Sequence, residues 1–386
     1  MSASTTRLPA VPLIAAGLAL LAAVAVTAAG PAYGQFDEQP EQALWVPDAP
    51  VHAVAVHAGT VYLGGPFTAL TTTSTGEVLA SQHLAALDAG TGQPVPGWSA
   101  SADADVRALA VSADGSQLFA GGAFVTVNDA QRRHLAALST VDGSLVPTWR
   151  PSASGMVRDL LVVGDRLYVG GAFSALSGVP DKGLAALVAS TGKRDPAFRA
   201  STDKTVHGLT RIGTSLVVAG AFTAVNGVPR RSLATIGLGS GALSSWAPDR
   251  VCPDCGNYWD VATDGQRVYV GSSGPGGWAG AYLPGTARPT WTLRADGDVQ
   301  AVAVADGVLY AGGHFRLQFD GLPRTQLAAV NPATGAVVQG FAPKLVKSYP
   351  GVWALASTPD HLHVGGDFEG VVNRGRSPFY ARFRTS

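Results

Sequence analysis

The sequence predicts an all-β fold: a seven-bladed β-propeller with four antiparallel strands per blade. Three observations lead there. A phrase ending in a small-residue pair and an aromatic recurs as VYLGGPF at 61, LFAGGAF at 118, LYVGGAF at 167, LVVAGAF at 216, LYAGGHF at 309 and LHVGGDF at 362. Gly 48 and Pro 25 punctuate the 386 residues, and Val, Thr, Tyr, Phe and Trp fill the short runs between them. That is the composition of many strands and turns. Third, the chain aligns on itself as seven units of roughly 50 residues, a period that belongs to circular or stacked repeat folds.

Each unit opens on a short apolar run such as VRALAV (106–111), and the runs begin at Val51, Val106, Val157, Val206, Tyr258, Val299 and Val352. Their alternation of Ala with medium apolar residues suits innermost strands that converge near an axis. Asp114-Gly115, Asp264-Gly265 and Asp306-Gly307 then read as tight hairpin turns into the second strand. The Gly-Gly pair follows, where backbone must bulge or pack closely. A third strand of the HLAALD type leads through a Thr-Gly turn to a closing aromatic: Trp98, Trp149, Phe198, Trp246, Trp291 or Phe341. Each large ring fills the gap where outer strands diverge.

The seventh closing aromatic is missing from the C-terminal unit, which stops at FYARFRTS, while ALWVPDAP places Trp45 ahead of the first opening run. The expectation is that an N-terminal strand around Trp45 completes the C-terminal blade, so that no sheet edge is left open.

Residues 1–34 form a separate segment. Arg7 is their only charge, and AVPLIAAGLALLAAVAVTAAG follows, an apolar run of about 21 residues that reads as a secretory signal peptide or an uncleaved membrane anchor. Residues 35–386 are expected to form the propeller, secreted or on the extracytoplasmic face of the cell envelope. Lys+Arg and Asp+Glu are 27 each, so the neutral chain has no electrostatic reason to seek nucleic acid, and membrane contact is expected only through an uncleaved N-terminus. Cys252 and Cys255, in CPDC, read as a local disulfide in an oxidising compartment, with free thiols or redox chemistry as the alternative.

HLAALDAGTGQPVPGW (83–98) resembles the tryptophan-docking repeat of quinoprotein-like propellers, and AGAFTAVNGVPRRSLATI (219–236) resembles the delta-60 type repeats of secreted bacterial propellers. The resemblance covers nearly everything after residue 43 and implies fold, not chemistry. Quinoprotein dehydrogenases of the first group imply eight blades, a quinone held over calcium and a disulfide between adjacent cysteines. Here seven units are counted, Cys252 and Cys255 are not adjacent, and no matching calcium ligands are found, so no cofactor is expected.

The seven copies also serve as an internal control. Residues recurring at one position of the unit are explained by folding; residues unique to one copy are functional candidates. Asp48, Asp103, Asp203 and Asp296, three residues before an opening residue, read as turn caps. Arg132, Arg230 and Arg324 read as braces against loop carbonyls, and His83 and His134 as structural.

The second position of the opening run varies instead: His52, Arg107, Arg158, His207, Trp259, Gln300 and Trp353. These should ring one mouth of the central channel, where cations, an amide and two indoles could hold a polar ligand with flat or sugar-like faces. The alternative is a solvated rim. Tyr258 and Tyr349 are placed over the same face by the atypical fifth and seventh units. Asp159 and Asp260 replace small residues at the third position; they could form an acid pair for hydrolysis or simply accept backbone hydrogen bonds.

GSSGPGG lacks the Lys-Ser/Thr ending of a phosphate loop, and neither Gly-x-Ser-x-Gly nor His-Glu-x-x-His occurs. The expected function is therefore a non-enzymatic binding protein whose partner is an unidentified ligand or protein, possibly a glycan. A hydrolase, lyase or remnant quinoprotein using the same face, and a structural envelope protein, are the alternatives.

Overall fold

The computed structural model describes Met1 and residues 36–252, 254–346, 351–372 and 377–385. The N-terminal segment expected to be a signal or anchor lies outside the described residues apart from Met1, and Tyr349 lies outside them too. Among the described residues no helix is long and apolar enough to cross a membrane. The fold is all-β.

Each repeat carries one main antiparallel sheet, and among the described residues every repeat but the fifth adds a smaller sheet of two or three short strands. In the second repeat, Val106–Val111, Gln117–Gly122 and Leu135–Ser139 pair in sequence order. The other first strands are Ala53–His57, Val157–Val163, Val206–Ile212, Tyr258–Thr263, Val299–Ala305 and Gly351–Ser357. Both faces of the second and third strands are buried, which is why they are apolar throughout rather than alternating.

Of the expected tight turns, Asp306-Gly307 forms a two-residue loop with both residues at positive φ. At Asp114-Gly115 and Asp264-Gly265 the connection is longer. There the aspartate side chain accepts backbone N–H bonds instead, from Ser116 (3.1 Å) and from Gln266 (2.8 Å) and Arg267 (2.6 Å).

The outer strand is shorter than expected. Among the described residues only the fifth repeat has a sheet of four paired strands, ending on Trp291–Arg294. Elsewhere the fourth element touches the third at a single bridge, as between Leu87 and Pro94 or Leu138 and Leu145. Two backbone bonds hold it in the first repeat, Asp88 N to Gln93 O (2.8 Å) and Val95 N to Ala86 O (2.9 Å). Pro94 and Pro96 have no N–H to extend the ladder.

The closing aromatics lie between adjacent sheets. Trp149 is fully buried, packs 5.3 Å from Phe119, and donates its Nε1–H to Ala189 O in the next repeat (2.8 Å). Trp246 and Trp291 likewise donate to Thr286 O and Pro332 O, each about one repeat onward.

The recurrent glycine pair has two separate uses. A Cβ on the first glycine would meet the opening valine of the next repeat: at Gly121 it would lie 2.5 Å from Val157 Cγ1, and at Gly365 2.6 Å from Val51 Cγ1. The one Ala-Gly pair proves the rule. Ala219 faces the fifth repeat, whose opening residue is Tyr258; tyrosine has no branched Cβ, and the two pack in one core cluster.

The second glycine serves its own repeat. A Cβ on Gly122 would collide with the carbonyl oxygen of Asp105, just before the first strand. This close approach accompanies a β-bulge. Register shifts between the first and third positions of the first strand in six repeats: Val106/Ala108, Val157/Asp159, Val206/Gly208, Tyr258/Asp260, Val299/Ala301 and Val352/Ala354. A bulge leaves one residue out of the ladder and re-aims its side chain. The residue left out is always the second.

At the chain ends the Trp45 expectation is corrected. Trp45–Pro47 pairs with Ala69–Thr72 in the first repeat, not with the last sheet. The residues on the last strand, Tyr380–Arg384, are instead those from Phe36 to Glu41: Phe36 bridges Thr385, Asp37 N donates to Arg384 O (2.7 Å), and Glu41 N donates to Arg382 O (2.8 Å). Phe36 is 1% exposed, 5.5 Å from Tyr310, in the cluster that holds Phe341 and Phe383. Two polar contacts reinforce the junction. Glu41 Oε2 accepts from Arg382 Nη2 (2.6 Å) and contacts His361 Nε2 at 3.2 Å.

Candidate functional site

The seven second-position side chains, six of them freed by a bulge, turn inward together. His52, Arg107, Arg158, His207, Trp259, Gln300 and Trp353 line one cavity of about 260 Å3, with Asp159 and Asp260 also in its wall. Seven distant points in the sequence thus reach one place, because each repeat aims its second position at it.

Aromatic rings form one side. His207 stacks on Trp259 with centroids 4.8 Å apart and planes 16° apart. Trp259 meets Trp353 at 6.1 Å and 88°, and Trp353 meets His52 at 5.8 Å and 87°. The two indoles therefore make a right-angled corner, backed by a histidine on each flank. Arg107 and Arg158 stand on the intervening repeats.

Several of these groups are tethered to the following repeat. His52 Nδ1 is 2.9 Å from Asp105 Oδ1, and Arg107 Nε donates to the other oxygen of the same carboxylate. Burial alone would raise the Asp105 carboxyl, but the bonds from His52 and Arg107 hold it below the ordinary carboxylate range. Trp259 Nε1 donates to Asp298 Oδ2 (3.3 Å), and His207 Nδ1 is bonded to Tyr258 O (2.9 Å). Burial pushes His207 down to about 4, so the ring is neutral at physiological pH.

The remaining three have no such tether. The residue before the next opening position is Thr205 for Arg158, Gly351 for Gln300 and Pro50 for Trp353, and none carries a carboxylate. Arg158 Nε, Gln300 Oε1 and Trp353 Nε1 are buried without a hydrogen-bond partner. Burial, then the neighbouring Arg107 charge, lowers the pKa of Arg158, which means that its cation is poorly compensated.

Asp159 and Asp260 are brought to the cavity wall, but their oxygens are engaged. Asp159 accepts from Leu160 N (2.8 Å) and from Leu209 N in the next repeat (2.6 Å). Asp260 accepts from Val261 N (2.7 Å) and from Val302 N in the next repeat (2.8 Å). Each carboxylate thus staples two first strands together. Gly208 lies between them because a Cβ there would sit 3.1 Å from Asp260 Oδ1. Burial raises both carboxyls, and Asp260 raises Asp159 further.

One expected site residue among those described, Tyr258, does not belong to the cavity lining. Tyr258 is buried in the core, its hydroxyl accepting from Val251 N (2.9 Å) and lying 3.2 Å from Tyr282 Oη. As the first-position residue it lies outside the cavity, on the opposite side of the bulge from Trp259. Cys252 and Cys255 form the disulfide, also in that core cluster.

The recurring polar residues are structural. Asp103 Oδ1 accepts from Val125 N (2.8 Å) and Thr126 N (3.0 Å), and Asp203 does the same for Thr223 and Ala224, so these aspartates cap a hairpin some twenty residues on rather than a local turn. Arg132 and Arg324 donate to loop carbonyls, and His83 and His134 hold Gly65 O and Gly122 O.

Sequence reasoning missed Asp105 and Asp298. Both sit immediately before an opening valine, a position occupied by aspartate in these two repeats alone, so the contrast between recurring and unique residues would have found them. Among the described residues no group of three or more His, Cys, Asp or Glu side chains converges as a metal site would need.

No family model matches the chain, and no curated protein matches it. Solved structures do resemble it. The WD40 β-propeller domain of Doa1 is 10% identical with a TM-score of 0.59, the match covering 89% of this chain and 96% of that one. U3-55K is 11% identical with a TM-score of 0.58, covering 90% and 100%. The computationally designed Ika8 protein is 14% identical with a TM-score of 0.52, covering 91% and 100%. At such identities the likeness concerns the fold alone, and the fold is a β-propeller.

Proposed function

We propose that this chain is an exported, non-enzymatic binding protein: a seven-bladed β-propeller that holds a small ligand at the mouth of its channel. The observation that carries the reading is the convergence of variable side chains on one cavity, while recurring polar residues such as Asp103, Asp203, Arg132, Arg324, His83 and His134 bond to backbone. Export is supported by the apolar run behind Arg7 and by the Cys252–Cys255 disulfide, which suits an oxidising compartment.

Closure into a ring draws support from both ends of the chain. Gly365 faces Val51 as Gly121 faces Val157, and Tyr380 shares a core cluster with Val51. Glu41 N on Arg382 O repeats the role of Val95 N on Ala86 O. Residues 36–41 would then be the outer strand of the seventh blade, and Trp45 part of the crossing into the first.

A channel-mouth site fits the chemistry better than an acid pair does, since all four oxygens of Asp159 and Asp260 already accept backbone N–H bonds. The test is calorimetry against a panel of neutral sugars, sugar acids, amino sugars and aromatic acids, on the wild type and on Trp259→Ala with Trp353→Ala. Binding that the double variant loses supports the site. Equal binding by both proteins, or none to any compound, ends it.

A further inference from the structure

We infer that the ligand is a single carboxylated sugar ring, of the hexuronic acid type, taken either free or as the terminal residue of an acidic glycan. The inference rests on the channel-mouth reading above and specifies what that mouth selects.

Three polar atoms set the requirement. Arg158 Nε needs an acceptor, and its guanidinium, unlike that of Arg107, is not neutralised by a protein carboxylate. A planar carboxylate matches its donor fork. Gln300 is only 6% exposed with Oε1 unpartnered, so it needs a donor such as a hydroxyl. Trp353 Nε1 needs an acceptor, which a second hydroxyl or the ring oxygen supplies. A buried polar atom left unpaired is costly, so the site favours a ligand meeting all three demands at once.

Shape and charge narrow the choice. The right-angled corner of Trp259 and Trp353 offers an apolar face to the C–H side of a sugar ring. Neither histidine competes for the anion, because His207 is neutral and His52 is bonded to Asp105. The raised carboxyls of Asp159 and Asp260 are inclined to hold a proton, which lessens their repulsion of an anionic guest. The cavity, about 260 Å3, falls below the range of ~300–1,000 Å3 usual for drug-sized ligands and suits one ring.

The test compares D-glucuronate with D-glucose by titration calorimetry, at fixed pH and salt, on the wild type, Arg158→Gln and Arg158→Lys. Thermal melts confirm that each variant is folded. Glucuronate should bind at least tenfold more tightly than glucose. Arg158→Gln should erase that preference, and Arg158→Lys should restore part of it. A tetrasaccharide ending in glucuronate, run beside the monosaccharide, separates the two sources: tighter binding assigns a glycan end, equal binding the free acid. Wild-type protein that binds both sugars equally, or a preference that survives Arg158→Gln, overturns the inference. If another compound of the panel binds and is lost with Trp259 and Trp353 but not with Arg158, the mouth remains a site and only the sugar-acid assignment falls.

Discussion

Replacing Phe36 with alanine tests the junction between the two ends of the chain. Phe36 is 1% exposed, and its ring lies 5.5 Å from Tyr310 within the cluster that holds Phe341, Leu362 and Phe383. Truncating a buried phenylalanine costs about 3–5 kcal/mol. With an m-value of about 3 kcal/mol per molar urea, the upper end for small domains, the midpoint should fall by about 1–1.7 M. Tryptophan fluorescence reports the transition. Leu44→Ala is the control in the same segment; Leu44 is an exposed residue, so its loss should cost no more than ~0.5 kcal/mol. Starting the chain at residue 42 should cost more than Phe36→Ala. It also removes the backbone bonds from Asp37 and Glu41, at about 0.5–1.5 kcal/mol each, and takes the carboxylate from buried Arg382. A Phe36→Ala protein whose midpoint matches wild type would refute the reasoning, since the ring would then not be filling the last sheet's outer gap.

Two further outcomes follow from the fold. Gly121→Ala should destabilise by about 1–3 kcal/mol through the clash with Val157 Cγ1, and Val157→Ala should recover much of that loss in a double-mutant cycle; additive effects would contradict the packing. The raised carboxyls of Asp159 and Asp260 keep protons in the folded state that the unfolded chain has lost, so wild-type stability should decline as pH rises from about 4 toward neutrality. Neutral His207 opposes this on the acid side, so the quantity to plot is the difference between wild type and Asp159→Asn with Asp260→Asn, in which the histidine cancels; a difference independent of pH would be inconsistent with the buried carboxyls.

The repeats made most of the architecture readable. Strand positions, the recurring glycines and the inter-sheet aromatics all followed from comparing one copy with another. What stayed hidden was local. The bulge at the second position leaves no residue-type signature of its own, because the residue it frees is variable by construction. Tyr258 looked like a site aromatic because it adjoins Trp259, yet one step across a bulge separates core from cavity. Trp45 drew attention as the missing indole, whereas the ring that fills the last sheet's gap is Phe36, a lone aromatic among polar residues with no repeat to mark it. The cavity's tethers, Asp105 and Asp298, are marked in the sequence only as the two aspartates at an otherwise varied position.

The displaced residue in six of the opening strands has a consequence for how such a protein changes over time. A side chain outside the ladder bears no share of the sheet's hydrogen bonding, so arginine, histidine, glutamine and tryptophan are tolerated there on equal terms. The scaffold resembles a switchboard with one exchangeable plug per module. Single substitutions at these plugs should retune what the hub accepts without endangering the frame, so relatives with the same frame can be expected to differ most at those places.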